Sequence, residues 1–178
     1  TSYTGSGILL CGLYNFNPVV YLVRNKVTKI YEDFGGSVHV VQLFSGDNTL
    51  ELNAKNELVE ETCNLFELNF SLERKISNVS RYVDIEHKKN RSAYRCYFVC
   101  ISQINDNDTI LSKKFDNNKE VARKYRAPKD FDETDKISRF YIKDIFNVIK
   151  QSSDKIMVKN IEGENCTLSD RAYKILRF

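Results

Sequence analysis

The segment Asn56-Glu57-Leu58-Val59-Glu60-Glu61-Thr62-Cys63 constrains this chain more than any other. It lies in a stretch, residues 49–65, that reads as a helix. Thr49 or Asn48 serves as N-cap, and Glu51 adds negative charge to the first turn. On a helix, positions i, i+3 and i+4 share a face, so Glu57, Glu60 and Glu61 fall on one arc. Like charges at that spacing repel, and a divalent cation relieves the repulsion. Hard cations such as Mg²⁺ take carboxylate oxygens and keep water and phosphate oxygens as further ligands. Ala54, Leu58 and Leu65 line one flank of this helix, and Leu52 and Val59 lie on the far side. Two apolar flanks predict packing on two sides, with the acidic row facing a cleft. Spacing alone favours a solvated acidic face. The Gly35-Gly36 pair upstream, read as permitting backbone geometry that other residues resist, tips the balance.

Around this helix the chain alternates between strand and turn patterns. Residues 7–14 (GILLCGLY) and 18–23 (PVVYLV) form an expected hairpin across the Asn15-Phe16-Asn17-Pro18 turn. A second hairpin is expected from 79–87 and 93–103, with a polar tip at 88–92. Residues 105–116 read as a polar loop, 118–126 as a short basic helix, 136–142 as a strand and 144–149 as a short helix. Residues 167–178 read as a closing helix capped by Thr167 or Ser169. These elements predict an α/β chain, an α/β/α sandwich on a mixed sheet rich in antiparallel pairs. The 178 residues, 42% of them hydrophobic, suit one domain over 1–178.

A net charge of +3 is too small to argue for nucleic acid, although it suits an anionic substrate. Five cysteines without a C-x-x-C pair indicate neither a zinc site nor a disulfide framework, and point to a reducing, cytoplasmic compartment. Two histidines, His39 and His87, leave little for a histidine-based metal site. No apolar run reaches the ~20 residues of a membrane span, and no signal peptide is visible. The run Arg123-Lys124-Tyr125-Arg126 with Lys129 fits either a solvated helix face or a nucleic-acid contact in which Tyr125 stacks on a base.

The acidic segment and the glycine pair together resemble the Nudix hydrolase family. Ala54-Lys55-Asn56-Glu57-Leu58-Val59-Glu60-Glu61-Thr62 looks like that family's A-x-R-E-L-x-E-E-T, and Gly35-Gly36 looks like its opening glycines. Departures are Asn56 at the family's Arg, Asn48 at its first Glu, Cys63 at its closing Gly, and a longer loop between glycines and helix. The resemblance implies a Nudix-like sandwich and metal-dependent cleavage of a diphosphate linkage in a nucleoside diphosphate-X substrate. It implies that Glu57, Glu60 and Glu61 hold Mg²⁺ or Mn²⁺, with the Gly36 carbonyl as an additional ligand. Glu60, Glu61 or Glu133 would take the proton of the attacking water. Arg24 and His39 are candidate substrate contacts, each with a structural reading beside it.

Substrates implied by the resemblance include nucleotides and capped RNA. The family includes viral and eukaryotic messenger-RNA decapping enzymes, and the Asn, Lys and Ile bias is compatible with a large DNA virus. The alternative is a catalytically weak or inactive binding module for nucleotide or RNA on the same fold, favoured by Asn56 and Cys63. An acidic-helix interaction protein would show no metal dependence. Nudix proteins occur as monomers and homodimers, and no interface is readable here.

Overall fold

The computed structural model describes residues 2–38, 49–66, 81–89, 91–101, 104–151 and 156–177. Strand β1 (Ser2–Tyr14) is the spine of the sheet. It meets β2 (Asn17–Asn25) through a tight turn in which Asn15 and Phe16 both have positive φ, 47° and 64°. That is the backbone hand that lets a two-residue hairpin follow the twist of its strands. Next come β3 (Tyr31–Glu32), β4 (Phe34–Ser37), helix α1 (Thr49–Thr62), β5 (Tyr82–His87) and β6 (Ser92–Cys100). Then follow α2 (Asp108–Lys124), a 3-10 turn (Lys129–Asp132), β7 (Thr134–Tyr141), α3 (Ile142–Gln151), the short strands β8 (Met157–Lys159) and β9 (Asn165–Thr167), and α4 (Asp170–Leu176).

The main sheet runs β3-β2-β1-β6-β5, with β4 also paired to β1 and β7 to β2. All its pairs are antiparallel except β1 with β6, which are parallel over Ser2–Cys11 and Ser92–Cys100. The sheet is therefore mixed, as expected. Both faces are buried, and the alternation along the strands shows it. Ile8, Leu10, Val19, Tyr21 and Val23 point to a core shared with Ala54 and Leu58 of α1 and Leu111 and Phe115 of α2. Leu9, Val20 and Leu22 point to the other core, shared with Ile145 of α3 and Ala172 and Ile175 of α4. Helices on both faces of one sheet make an α/β/α sandwich.

Four expectations are corrected. Residues 105–116 are not a loop: α2 begins at Asp108, capped by Asn107, whose side chain accepts from the Ile110 amide at 2.9 Å. Leu111, Phe115 and Lys119 form a narrow buried stripe at i, i+4 and i+8, so a polar helix still seats on the sheet. Among the described residues, helix α1 does not pack on two sides: it buries the single arc Asn53, Ala54, Leu58, Glu61 and Thr62, while Leu52 is exposed and Val59 half-buried. The closing helix starts at Asp170, because Thr167 is spent on pairing with Met157, and Ser169 is its cap. Gly35 and Gly36 lie in extended strand β4 and neither has positive φ, so their value lies in the missing Cβ. The expected caps and strand ends at Asn48, 79–80 and 102–103 lie outside the described residues. Among the described residues no helix is long and apolar enough to cross a membrane.

Candidate functional site

The site grows from the contact between α1 and β4. Asn53, Glu57 and Glu61 follow each other at i, i+4 and i+8, so they form one row along the helix. Each reaches the glycine strand. Asn53 Nδ2 donates to the Gly36 carbonyl at 3.2 Å and to Ser6 Oγ at 3.0 Å, and Ser6 Oγ donates to the Leu50 carbonyl at 2.7 Å. The Glu57 carboxylate lies directly over the Gly36 Cα: a Cβ built there would stand 2.6 Å from Glu57 Cδ. Glu61 Oε1 accepts from the Gly35 amide at 3.0 Å. The missing Cβ of Gly36 is what lets a carboxylate sit on the backbone. Asn53 was not singled out from sequence, although its place in the same i, i+4 row was available as a signal.

Behind the glycine strand lies a buried polar group. Asp33 is fully buried. It accepts from Tyr94 Oη at 2.6 Å and from Arg171 Nε of α4 at 2.8 Å. The Arg171 guanidinium stacks over the Tyr94 ring, 4.5 Å from its centroid, and pairs with Glu32 at 3.4 Å. Burial works against the charge of Arg171, but Asp33, Tyr94 and Glu32 hold it protonated more firmly than usual. Gly7 and Gly35 are small because this network fills their side-chain space. A Cβ at Gly7 would stand 2.6 Å from Asp33 Oδ2, and one at Gly35 would stand 2.9 Å from Gly7 Cα.

Glu61 feels this network. Burial pushes its carboxyl well above the usual carboxylate range, and the charges of Asp33 and Glu57 push it further; Arg171 offsets part of this. Glu60 is half-buried on the next arc of the helix. Glu57 and Glu61 are both brought onto the glycine strand. Among the described residues no three acidic, Cys or His side chains converge closely enough to hold an ion by themselves.

The remaining candidates are placed as follows. Glu133 is exposed in the turn before β7. Its carbonyl accepts from the Lys26 amide at 2.9 Å, and its neighbour Thr134 donates its hydroxyl to the Glu61 carbonyl at 2.6 Å. That turn is therefore tied to the end of α1. Arg24 makes a two-pronged ion pair with Asp135, at 2.7 and 3.2 Å, and shares the sheet face of Val20 and Leu22, away from α1. His39 lies outside the described residues. Asn56 is exposed on α1. Cys63, at the family's closing glycine, has φ of 49° and Asn64 has 56°, so the helix ends in the left-handed turn that glycine usually supplies. The Asn64 amide closes that end on the Val59 carbonyl at 2.9 Å.

A cavity of about 270 Å³ opens beside Gly36, between β1, β4, β5, β6 and α4. Thr4, Ser37, His87, Tyr94, Arg171 and Lys174 line it. Lys174 pairs with Asp170 at 3.0 Å, so Arg171 and Lys174 set two cations against one carboxylate on its wall.

No protein-family profile matches this chain, and no curated protein does. Among solved structures, the chain is similar to the Nudix domain of Shewanella oneidensis NrtR complexed with ADP ribose, at 13% identity and a TM-score of 0.46, covering 83% of this chain and 77% of that one. It is similar to a Nudix hydrolase from Alicyclobacillus acidocaldarius at 10% identity and a TM-score of 0.48, covering 99% and 90%. A C. elegans Ap4A hydrolase binary complex matches at 12% identity and a TM-score of 0.38, covering 57% and 68%.

Proposed function

We propose that this chain is a Nudix-type pyrophosphohydrolase that uses Mg²⁺ or Mn²⁺ to cleave a diphosphate linkage in a nucleoside diphosphate-X substrate. The observation that carries the reading is the seating of two carboxylates, Glu57 and Glu61, one helical turn apart on the Gly35-Gly36 backbone. The donor set fits the ion. Mg²⁺ is commonly held by one or two carboxylates, with water and substrate phosphate filling the other positions. Glu61 is buried beside the like charges of Glu57 and Asp33, an arrangement that a bound cation relieves.

In this reading Glu57 and Glu61 hold the ion, with Glu60 and the Gly36 carbonyl as further oxygen donors. The ion, when bound, neutralises diphosphate oxygens and makes a bound water more acidic. Glu60 and Glu133 are the candidates to take that water's proton. The cavity beside Gly36 receives the group attached to the diphosphate, with Arg171 and Lys174 on its wall. Nucleotides and capped RNA ends are the substrate classes to try first, with RNA as a further partner along the basic residues of α2.

A second reading keeps the site for binding without turnover. It is favoured by Asn56, which stands exposed where the family's arginine orients a glutamate. Product release from a panel of diphosphate compounds, with Mg²⁺ or Mn²⁺, separates the two. The enzyme predicts metal-dependent cleavage that falls roughly 100-fold or more in Glu57→Gln and in Glu60→Gln. A folded wild type that binds Mn²⁺ and cleaves nothing in the panel selects the binding module.

A further inference from the structure

We propose that Cys11 and Cys100 form a reversible oxidation site, in which a small disulfide such as oxidised glutathione converts the two thiols into a bond between neighbouring strands. Cys11 and Cys100 are direct partners at the last position of the parallel β1–β6 ladder. Neighbouring strands lie about 4.8 Å apart, within the ~4.4–6.8 Å Cα separation that a disulfide spans. The side chains share a side. Cys11 and Phe98 both pack against the core beneath α3 and α4, and Cys100 lies two residues beyond Phe98, so strand alternation returns it to that face. Cys100 lies close enough to Cys11 to add to the rise of its thiol.

Access selects the same pair. Cys100 is exposed and Cys11 half-buried, whereas Cys63, Cys96 and Cys166 are buried. Burial, with the neighbouring Cys100 adding to it, pushes the Cys11 thiol up to about 12. Cys100 therefore meets the oxidant first. Its thiolate attacks one sulfur of oxidised glutathione, forming a mixed disulfide and releasing one glutathione thiolate. The Cys11 sulfur then attacks the Cys100 sulfur, the protein disulfide forms, and the second glutathione leaves. Two protein thiols lose two electrons and two protons in total, and one glutathione disulfide becomes two thiols. A bond of this kind is transient in a reducing compartment and persists in an oxidising one. The pair sits at the opposite end of β1 from Gly5 and Gly7, which carry β4, so the inference stands apart from the proposed hydrolysis.

The test is peptide mapping by mass spectrometry, under non-reducing conditions, of the full chain after exposure to oxidised glutathione. Wild type should yield a linked Cys11–Cys100 peptide pair that a thiol reductant separates. Cys11→Ser should stop at glutathione on Cys100, and Cys100→Ser should leave residue 11 unmodified. A wild type that retains glutathione on Cys100 without forming the link overturns the proposal. So does a bond from Cys100 to a second copy of the chain.

Discussion

Glu61 illustrates how one residue is placed against its own stability. Its carboxyl is raised by burial and by Asp33 and Glu57, so the folded state holds this proton more tightly than the unfolded state does. Stability from this group is therefore full below the unfolded carboxylate range and is lost as pH rises through the raised folded value. Glu61→Gln removes the charge and keeps an oxygen to accept the Gly35 amide. It should raise the urea midpoint at about pH 7 and change it little at about pH 4. Equal midpoints at both pH values would show that the charge is already compensated. Gly36 and Gly35 make a second contrast. Alanine at 36 meets the flexible end of Glu57 and displaces it, so Gly36→Ala should fold with a loss of about 1 kcal/mol while abolishing Mn²⁺ binding. Alanine at 35 meets the Tyr94 hydroxyl and the Gly7 backbone, which cannot swing aside, and should cost about 3 kcal/mol. Denaturation curves with metal titrations distinguish the two, and similar stability losses would contradict this account.

At the scale of elements, α2 shows what holds a polar helix. Its N-cap, Asn107, satisfies the Ile110 amide, which otherwise has no partner within the first turn. Asn107→Ala should cost about 1 kcal/mol in urea denaturation, and Asn107→Ser should recover most of it. A neutral alanine would mean that solvent serves the amide equally well. The same helix marks the limit of what is legible in the chain. Asp106-Asn107-Asp108 reads as turn chemistry, and those residues do stand at a turn, but as the entry to a helix. The stripe Leu111, Phe115 and Lys119 was the available signal, weakened because its third member is a lysine that bonds the Thr134 carbonyl. By contrast, α1 and the β1–β2 hairpin were readable, since acidic spacing, turn residues and apolar runs agree there. The i, i+4 row that sets Glu57 beside Glu61 was also readable. Its partner Asp33-Arg171-Tyr94 was not, because those residues are brought together by β4, β6 and α4 packing, which no local pattern records. At the glycine pair close approach is the governing requirement, and positive φ is not, a distinction that two adjacent glycines in a sequence do not carry.

At the scale of the whole molecule, one buried ion pair couples the two ends of the α2–β7 segment. Arg139 on β7 and Asp108 on α2 are both fully buried, joined at 2.7 and 2.8 Å. The guanidinium also donates to the carbonyls of Ile104 at 3.1 Å and Asp106 at 2.6 Å, and lies 4.3 Å from the centre of the Tyr14 ring. A charged side chain in this place is compensated on nearly every side, so removing it strands its partners. Asp108 already has one oxygen, Oδ2, without a hydrogen-bond partner in the described structure. Arg139→Met should therefore destabilise the fold by roughly 3–5 kcal/mol, because a buried carboxylate and two carbonyls lose their donor. Adding Asp108→Asn should restore part of that loss, since the amide carries no charge to bury. The signature is non-additivity: the double variant is more stable than the sum of the two single losses allows. Because Arg139 sits on β7, which pairs with β2, the damage should reach the sheet as a whole and lower the global urea midpoint. If only the amides of α2 exchange faster while the midpoint holds, the pair secures a local helix and has no wider role.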